Sequence, residues 1–399
     1  MTALRYLWIN VLQTALRMLP FSCETGLVRI GNPGRDAPVL LTCNFRLTVE
    51  RLKRVLRLHG VDAYLLVANS RGVNVWCAAT GGLFSDHDVV TVLKTSGIGE
   101  HVDHRKVILP QLAATGIEGK NIRKRAGGKV VWGPVRAEDL PDFLANGLEA
   151  SEAMRRIDFP WPDRFEMAVT WAFPMSLLAL LFALPFWRGA AFPLVALVWA
   201  LSLVIFLGFP LYEGLLAADT QRARNLGFIV FDFGRWGLPI LTWLVFLIAL
   251  TGGAALADSL SGDLLLRWGA ASLVVVLVLC MDLMGSTPTY KSGLHDDRRL
   301  AITLDEERCK GAGFCETVCP KGVFEVDRAG RTAILAQPQE CVQCGACLVQ
   351  CPFDALYFVS PSGALLTPET VRRYKLNLLG SRLVDRPQAE EGAAAAMRS

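Results

Sequence analysis

Cysteine spacing in the last quarter of the chain constrains the fold more than any other feature. Seven of the eleven cysteines lie there. From Cys341 to Pro352 they follow the pattern C-x2-C-x2-C-x3-C-P, in which thiolates hold iron–sulfur clusters. An upstream run that begins at Cys309 keeps the same offsets, with Ala312 in place of the second cysteine. Because the spacing is kept, we expect two similar loops. A zinc site or a set of disulfides fits such paired Cys-Pro runs poorly.

The offsets also divide the cysteines between two clusters. In ferredoxins with two such runs, the fourth cysteine of each run binds the cluster of the other run. Cluster II, the complete one, is expected to be a [4Fe-4S] cluster whose ligands are Cys319, Cys341, Cys344 and Cys347. Cluster I retains only three cysteines, which are Cys309, Cys315 and Cys351. Three cysteines suit a [3Fe-4S] cluster, or a [4Fe-4S] cluster with one ligand that is not cysteine. Residues 300–360 are therefore predicted to form a two-cluster bacterial ferredoxin domain, called the tail domain below.

Long apolar runs predict that the chain spans a membrane. The chain is 52% hydrophobic, and its mean hydropathy is +0.36. Four runs of about 18 to 24 residues, the last being the shortest, are long enough to cross ~30 Å of hydrocarbon. They cover residues 168–187, 191–212, 228–250 and 269–284, within a predicted transmembrane domain at 165–287. The formal net charge of +4 is too small to indicate a nucleic-acid partner.

Basic residues near the ends of these runs predict the orientation of the chain. Arg155 and Arg156 precede the first run, Lys291 follows the fourth, and residues 251–265 carry two aspartates but no Lys or Arg. Segments rich in Lys and Arg stay in the cytoplasm. We therefore expect a multi-pass protein of a bacterial or archaeal cytoplasmic membrane, with both termini and both soluble domains in the cytoplasm. Cluster thiolates also need that reducing compartment.

Residues 1–34 are predicted to form an amphipathic helix followed by a linker. Leu4, Trp8, Val11 and Ala15 recur there at helical spacing. Such a helix either lies in the membrane interface or docks on the surface of the protein itself. The sequence leaves both arrangements open.

Ionisable residues inside the apolar runs are candidates for function. Asp232 and Arg235 stand one helical turn apart in the third run, and Asp282 lies near the end of the fourth. Contacts at the membrane surface explain these residues equally well, so their role stays open.

Alternating strand and helix patterns fill residues 35–150, called the head below. Strand patterns occur at 38–42, 62–68, 106–109 and 129–132, and helix patterns at 48–58, 85–95 and 136–144. Such alternation predicts a three-layer α/β domain with a mainly parallel sheet. In open sheets of this kind, ligands bind beyond the carboxyl ends of the strands. The segment that leaves the second strand, residues 69–82, is therefore the expected binding region.

One cysteine in that segment stands in a distinctive sequence. A lone cysteine beside tryptophan and alanine is usually a small buried hydrophobe, and Cys77 taken alone indicates no more. Residues 74–79, N-V-W-C-A-A, nevertheless resemble the cap-helix motif of the corrinoid proteins of microbial mercury methylation (HgcA type), which are relatives of corrinoid iron–sulfur proteins. Residues 63–80, 102–116 and 133–147 resemble that family too, and the tail domain resembles its ferredoxin partner (HgcB type). The resemblance covers most of residues 35–360.

The resemblance implies a Rossmann-like head that binds a corrinoid. Cys77 would be the lower axial ligand of the cobalt, with Asn74, Trp76 and Ala78 shaping the cap helix beneath the ring. A thiolate is a soft donor, and thiols at helix N-termini ionise readily, so this position suits cobalt ligation. The motif D-x-H-x-x-G, typical of other corrinoid proteins, is absent from the sequence.

Together these parts predict membrane-anchored, corrinoid-dependent methyl transfer, in which the clusters recharge the cobalt to Co(I). The resemblance also implies a methyl-donor methyltransferase of the methyltetrahydrofolate type as partner, and the clusters require a low-potential electron donor. The methyl acceptor stays open among a metal, a metalloid and a thiol. The alternative is a membrane-bound iron–sulfur electron-transfer protein that binds no corrinoid.

Two departures from the family bear on the acceptor. After the two alanines the chain continues with Thr80 and Gly81, where the mercury-methylating motif has Gly-Lys. Residues 361–399 follow the tail domain, and we expect this C-terminal segment to be partly disordered. It lacks the extra cysteines of the ferredoxin partner. Without those thiols, Hg(II) has no evident route to the cobalt. We therefore expect the chemistry of the family rather than mercury itself as the substrate.

Overall fold

A five-stranded sheet organises the head. The computed structural model describes residues 7–215, 224–226, 229–231, 237–282, 300–360 and 363–374. In the order β1-β3-β2-β4-β5, the strands of the sheet are β1 (Gly26–Ile30), β2 (Val39–Cys43), β3 (Ala63–Ala68), β4 (Lys106–Pro110) and β5 (Lys129–Gly133). Strands β2 to β5 run parallel, whereas β1 pairs antiparallel with β3. The mixed α/β architecture predicted for the head is confirmed.

Both faces of this sheet are buried, which explains the unbroken apolar runs in its central strands. Every residue of β2 and β3 is buried. Leu41 and Leu66 belong to the core on one face, and Leu40 and Leu65 to the core on the other. Side chains alternate between faces along a strand, so a strand covered by helices on both sides needs apolar residues at every position.

Helices connect the strands and cover the sheet. In chain order they are a π-helical segment (Leu7–Leu12), α1 (Gln13–Ala15), α2 (Arg46–Leu58), α3 (Val75–Thr80), α4 (Asp86–Thr95), α5 (Ile98–His101), the 3-10 segment Gln111–Thr115, α6 (Gly119–Ala126), the 3-10 segment Ala137–Asp139, α7 (Leu140–Ala145) and α8 (Glu152–Arg155). Ser85 begins α4 as the N-cap of a capping box with Asp88. The predicted strands and helices of the head agree with these bounds to within two residues.

The start of the head differs from the prediction. Residues 26–30, which were expected to be part of a linker, form the antiparallel edge strand β1. The segment before them docks on the protein: Ile9 and Gln13 are buried, whereas Leu7, Trp8 and Val11 are exposed. The N-terminal helix therefore contacts the protein with one face and leaves an apolar face uncovered.

Within the part of the chain that the structure describes, four helices are long and apolar enough to cross a membrane, as predicted. They are α9 (Trp161–Phe186), α10 (Ala191–Leu207, preceded by the 3-10 segment Arg188–Ala190), α12 (Leu238–Leu256) and α13 (Gly262–Asp282), with the short α11 (Phe209–Tyr212) and the 3-10 segment Glu213–Leu215 following α10. Helix α9 packs along α10, and α12 along α13. Bulky apolar side chains such as Leu181, Phe186 and Ile248 face outward, as lipid contact requires.

All four predicted spans have different bounds in the structure: the first helix begins at Trp161 rather than at residue 168, and the second ends at Leu207 rather than at residue 212. The third begins at Leu238 rather than at residue 228, and the chain before it forms the antiparallel pair β6 (Arg224–Leu226) and β7 (Ile229–Phe231). The fourth begins at Gly262 rather than at residue 269. Asp232, Arg235 and the side chain of Asp282 lie outside the described residues.

The tail domain repeats one motif twice. Its helices α14 (Phe314–Val318) and α15 (Ala346–Gln350) each follow a glycine with a positive φ angle, Gly313 and Gly345. Its other elements are β8 (Ala301–Leu304), β9 (Phe324–Asp327), β10 (Thr332–Leu335), the 3-10 segment Pro338–Glu340, β11 (Leu356–Val359), β12 (Leu365–Leu366) and α16 (Pro368–Tyr374). Strand β8 pairs antiparallel with β11, and β9 with β10.

Candidate functional site

A cavity of about 710 Å³ lies at the carboxyl edge of the head sheet. Its walls include Thr42 in β2, Pro110 at the end of β4, and Gly133 at the end of β5. Residues 72–77, which follow β3, complete this side of it. The position is the one at which open α/β sheets bind ligands, and the volume lies in the range of small-molecule sites. We call this space the cavity below.

The short helix α3 carries the sequence-predicted cysteine to the wall of the cavity. Asn74 is the N-cap of α3, and its side-chain oxygen accepts a hydrogen bond from the Cys77 N–H at 2.9 Å. The amide nitrogen of Asn74 donates to the Cys77 sulfur at 3.5 Å. Cys77 is half-buried and lines the cavity. Asn74 therefore fixes the first turn of α3 and at the same time places a hydrogen-bond donor on the thiol.

A glycine holds α3 close to the rest of the head. A Cβ atom at Gly116 would lie 2.6 Å from the carbonyl oxygen of Ala79 and 2.7 Å from that of Phe84. Only glycine permits this close approach of the two backbones. The packing leaves α3 little freedom to move away from the cavity wall.

The other predicted cofactor residues are divided between the cavity and the core. Trp76 lines the cavity and is 7% exposed, and its indole nitrogen has no hydrogen-bond partner among the described residues. A buried donor without a partner is costly, but this nitrogen is itself closed to solvent, so Trp76 contributes its other atoms to the cavity wall. Ala78, by contrast, is fully buried in the core of the head and does not line the cavity.

One wall of the cavity was not predicted, because it comes from the first membrane helix. Glu166 in α9 lines the cavity and forms an ion pair with Arg51 of α2 at 2.6 Å. Asp163, one turn earlier, pairs with Arg136 at 2.6 Å. The acidic pair Asp163 and Glu166 just inside an apolar run was the only signal in the sequence. The cavity thus lies between the soluble head and the membrane-spanning part.

Cys43 is the nearest alternative thiol along the sheet, and its surroundings make it inert. It is fully buried at the end of β2. Desolvation by burial raises the pKa of Cys43 from 9.0 to about 11. Cys43 also does not line the cavity, so its thiol is not available to a ligand bound there.

In the tail domain, burial and neighbouring thiols together shift the pKa values of two of the predicted cluster ligands. Burial raises the pKa of Cys347 well above its ordinary value, and neighbouring Cys344, Cys341 and Cys319 raise it further. Cys315 has a pKa of about 12, raised by burial and then by its neighbours Cys351 and Cys309. Thiols held protonated in this way release protons when a metal binds.

Backbone donors reach two sulfurs of each group, which is the arrangement that an iron–sulfur cluster needs. In the cluster II group, the N–H of Val323 donates to Cys319 at 3.3 Å, and that of Gln343 to Cys341 at 3.4 Å. In the cluster I group, Ala333 donates to Cys309 at 3.3 Å and Ala355 to Cys351 at 3.4 Å. Hydrogen bonds to sulfur are one of the factors that set cluster potentials, so the residues present fit two clusters.

The fourth corner of cluster I lacks a ligand. A small void of about 20 Å³ in the tail domain is lined by the three cysteines of this group and by Ala312. Of its other lining side chains, only that of Lys310 carries a nitrogen or oxygen atom, and its ammonium donates to the Glu307 carbonyl at 2.9 Å. Within the described part of the chain, no carboxylate, imidazole or hydroxyl group lines this corner.

Comparison with known proteins assigns the two soluble parts to different families. Residues 8–144 match the family model described as the CO dehydrogenase/acetyl-CoA synthase delta subunit. Residues 308–355 match the model of the 4Fe-4S dicluster domain. These matches confirm the resemblance of the head to corrinoid iron–sulfur proteins and of the tail domain to ferredoxins with two clusters.

Curated relatives match about a third of this chain. Subunit gamma of the acetyl-CoA decarbonylase/synthase complex of Archaeoglobus fulgidus is 37% identical over 133 residues, which are 33% of this chain and 28% of that protein. Subunit gamma 2 of that complex from Methanosarcina mazei is 34% identical over 127 residues, which are 31% of this chain and 27% of the relative. The subunit gamma of Methanopyrus kandleri is 34% identical over 125 residues, which are 31% of this chain and 27% of that protein. The chain thus spans little more than a quarter of the length of these relatives.

Proposed function

We propose that this chain is a membrane-anchored, corrinoid-dependent methyl-transfer protein whose tail domain supplies electrons. The likeness of residues 8–144 to corrinoid iron–sulfur proteins supports methyl-transfer chemistry at a general level. The dicluster domain supports two iron–sulfur clusters, and the four long apolar helices support membrane association. The Rossmann-like mode of corrinoid binding and the acceptor are part of the proposal.

The observation that carries the proposal is the position of the Cys77 sulfur. It lies at the wall of the cavity, at the carboxyl edge of a parallel sheet, and it accepts a hydrogen bond from Asn74. In this proposal Cys77 would ligate the cobalt of the corrinoid. Trp76 forms part of the cavity wall, whereas Ala78 packs α3 against the core. A bound corrinoid would supply a cobalt atom that accepts a methyl group and passes it on, in a cycle that passes through Co(I).

The residues of the chain have three tasks in this scheme. Asn74 orients Cys77 and stabilises its thiolate through the amide donor. The apolar wall formed by Leu41, Ile108 and Leu109 excludes water from the cavity. The ion pair of Glu166 with Arg51 closes the side toward the membrane.

The partners that we propose follow from the same chemistry. A methyltransferase of the methyltetrahydrofolate type would bring the methyl group, and a low-potential electron donor would reduce the clusters. The relatives are named as subunits of a complex, which supports work with other proteins. We further propose that both soluble domains and both termini face the cytoplasm, and that the acceptor is a metal, a metalloid or a thiol.

Cobalamin binding by a pair of cysteine variants tests the proposal. The full-length protein, purified without oxygen in detergent, is incubated with cobalamin and freed of unbound cofactor. We expect the wild type and Cys43→Ala to retain cobalamin with a spectrum that differs from that of the free cofactor. Cys77→Ala should lose this spectral difference. If the wild type binds no cobalamin, or if Cys77→Ala behaves as the wild type does, the proposal is wrong and an electron-transfer protein remains.

For cluster I we propose a [3Fe-4S] cluster, because among the described residues no carboxylate, imidazole, hydroxyl or further thiol lines the corner at Ala312. An oxidised [3Fe-4S] cluster has an unpaired spin, whereas an oxidised [4Fe-4S] cluster of this type is diamagnetic. Electron paramagnetic resonance (EPR) of the oxidised wild type should therefore show a signal that Ala312→Cys abolishes. The control is Ala329→Cys, which adds a thiol at an exposed position and should keep the signal. A silent oxidised wild type would contradict this assignment.

A further inference from the structure

The two clusters lie in different surroundings relative to the head. Val318 and Ala346, which flank the cluster II cysteines, belong to the hydrophobic core of the head, and Cys344 packs against that core. The cluster I cysteines belong to the core of the tail domain, as do Cys319, Cys341 and Cys347 of cluster II, so Cys344 is the cluster cysteine that packs on the head. Cluster II is therefore the one that lies at the boundary between the two domains.

A buried glutamine fixes the cluster II helix on the head. Gln350 is the last residue of α15, and its amide nitrogen donates to the carbonyl oxygens of Ala114, at 2.8 Å, and Ile117. Its side-chain oxygen accepts from the Gly119 N–H at 3.2 Å. Gln350 is 8% exposed. The 3-10 segment that packs on α15 follows Pro110 directly, and Pro110 lines the cavity.

One hydrogen bond joins a ligand of cluster II to the wall of the cavity. The N–H of Ile157 donates to the carbonyl oxygen of Pro320 at 2.8 Å. Pro320 follows Cys319 in the chain, and Ile157 lines the cavity. From the Cys319 sulfur, a path of covalent bonds interrupted by this single hydrogen bond thus leads to the cavity.

The residue before Ile157 places a positive charge beside the same loop. A Cβ at Gly322 would lie 2.6 Å from a guanidinium nitrogen of Arg156. Arg156 also pairs with Glu152 at 3.0 Å. A cation close to a cluster ligand stabilises the reduced, more negative form of the cluster, because net charge and hydrogen bonds set cluster potentials. The segment 156–157 therefore both tunes cluster II and contacts the cavity.

We propose that cluster II, and not cluster I, delivers electrons to the cavity, and that the Ile157–Pro320 hydrogen bond is the connection. This inference rests on the proposed function. In the step, one electron leaves cluster II, which is oxidised from [4Fe-4S]+ to [4Fe-4S]2+, and Co(II) in the cavity is reduced to Co(I). Cluster II then regains an electron from a reduced one-electron carrier protein of the ferredoxin or flavodoxin class, either directly or through cluster I.

Magnetic coupling tests which cluster lies near the cavity. Protein loaded with Co(II) cobalamin is mixed with a reductant of the clusters and frozen before the Co(II) signal has decayed, so that reduced clusters and Co(II) are present together for EPR. We expect the cobalt signal to be broadened by a neighbouring reduced cluster in the wild type and in Cys309→Ala, which disrupts cluster I. Cys341→Ala, which disrupts cluster II, should show the unbroadened signal. Broadening that depends on Cys309 instead, or no broadening at all, would overturn the proposal.

A proline tests the hydrogen bond itself. Ile157→Pro removes the N–H donor, and Arg156 already has the extended backbone that precedes proline, with φ −84° and ψ 140°. The control Ile157→Ala keeps the N–H and removes the side chain. Each protein is mixed with a reduced ferredoxin, and the decay of the Co(II) signal is followed by rapid freezing. The rate of Cys341→Ala gives the background that bypasses cluster II.

We expect Ile157→Pro to slow the decay several-fold toward that background, and clearly more than Ile157→Ala, which keeps the N–H donor. Equal rates for Ile157→Pro and the wild type would show that the hydrogen bond is not the connection. If Ile157→Pro fails to fold, the coupling measurement on the cysteine variants still decides which cluster is used. Failure of the proposed function would look different, because no cobalt signal would remain with the protein in any variant.

Discussion

At the scale of single residues, Asn74 does more than its neighbours in sequence suggest. Asparagine is a common N-cap because its oxygen satisfies a free backbone N–H. Here the same side chain also turns its amide nitrogen toward the Cys77 sulfur. The Asn74 side chain thus both caps α3 and donates a hydrogen bond to the Cys77 thiol. Substitutions at Asn74 can remove one of these functions and keep the other.

Asn74→Asp keeps the cap and removes the donor. Aspartate caps helices as well as asparagine does, so the free energy of unfolding should change by less than about 0.5 kcal/mol. A carboxylate beside the sulfur disfavours a thiolate, so alkylation of Cys77 at neutral pH should slow several-fold. The rate is measured by peptide mapping after timed exposure to iodoacetamide. In the control Asn74→Ala, the loss of the cap should lower the free energy of unfolding by about 1 kcal/mol. Equal rates of Cys77 alkylation in Asn74→Asp and the wild type would contradict this account.

At the scale of elements, the two cluster loops share a backbone conformation at one position but carry different residues there. Gly311 in the first loop and Gln343 in the second occupy equivalent places, and both have positive φ angles, +65° and +52°. A Cβ at Gly311 would lie 2.6 Å from the backbone of Arg331. The first loop therefore requires glycine for space as well as for conformation, whereas the second accommodates a side chain.

Gly311→Ala should disrupt cluster I selectively. The strained φ alone costs about 1 kcal/mol, and the contact with the Arg331 backbone forces the loop to shift. We expect loss of the cluster I signal in EPR with the cluster II signal retained. The matched change Gln343→Gly relieves a positive φ and should leave both signals in place. Retention of cluster I in Gly311→Ala would show that the loop adapts.

Much of this fold could be predicted from the sequence, and the failures have physical causes. Strands such as β2 and β3 are buried on both faces, so their apolar runs are unmistakable. The edge strand β1 is short and only partly buried, and its pairing with β3 leaves no periodic signal. Residues 228–231 (F-I-V-F) are strongly apolar, so hydropathy placed the start of the third span too early. The wall that α9 contributes to the cavity depends on tertiary packing, which sequence periodicity does not report.

At the scale of the whole molecule, two junctions hold the head. The tail domain is fixed to it by Gln350, and the membrane helix α9 by Glu166 and Thr170, whose hydroxyl donates to the Thr14 carbonyl at 3.2 Å. Residues from α9 and from the head line the same cavity. Because the proposed site is assembled from parts far apart in sequence, each junction can be tested separately.

Gln350→Leu tests the junction with the tail domain. The substitution leaves the buried carbonyl groups of Ala114 and Ile117 without their donor, and each unsatisfied buried group costs about 1–3 kcal/mol. We expect faster hydrogen exchange at the Gly119 amide and a lower unfolding temperature. The control Gln339→Leu changes an exposed glutamine of the same domain and should have little effect. Unchanged exchange at Gly119 in Gln350→Leu would show that the domains are held by other contacts.

Glu166→Gln tests the junction with the membrane helix. Glu166 accepts hydrogen bonds from Arg51 at 2.6 and 3.1 Å and from Arg17 at 3.5 Å. Its side chain is 29% exposed, so solvent screens the pair only in part, and we expect a loss of about 1 kcal/mol, near the upper end for exposed pairs. The matched control is Asp263→Asn, since the Asp263–Arg267 pair is 65% and 54% exposed and should contribute less than about 0.5 kcal/mol.

Thermal unfolding in detergent at low and high salt separates these two variants. The deficit of Glu166→Gln should shrink as salt rises, because ions screen the charges that it removes. Hydrogen exchange should increase at 166–171 and 48–52 together, since the same ion pair joins α9 to α2. Two results would contradict this account: Glu166→Gln loses no more stability than Asp263→Asn, or hydrogen exchange rises in α9 alone. Either result would show that the cavity wall formed by α9 does not depend on this carboxylate.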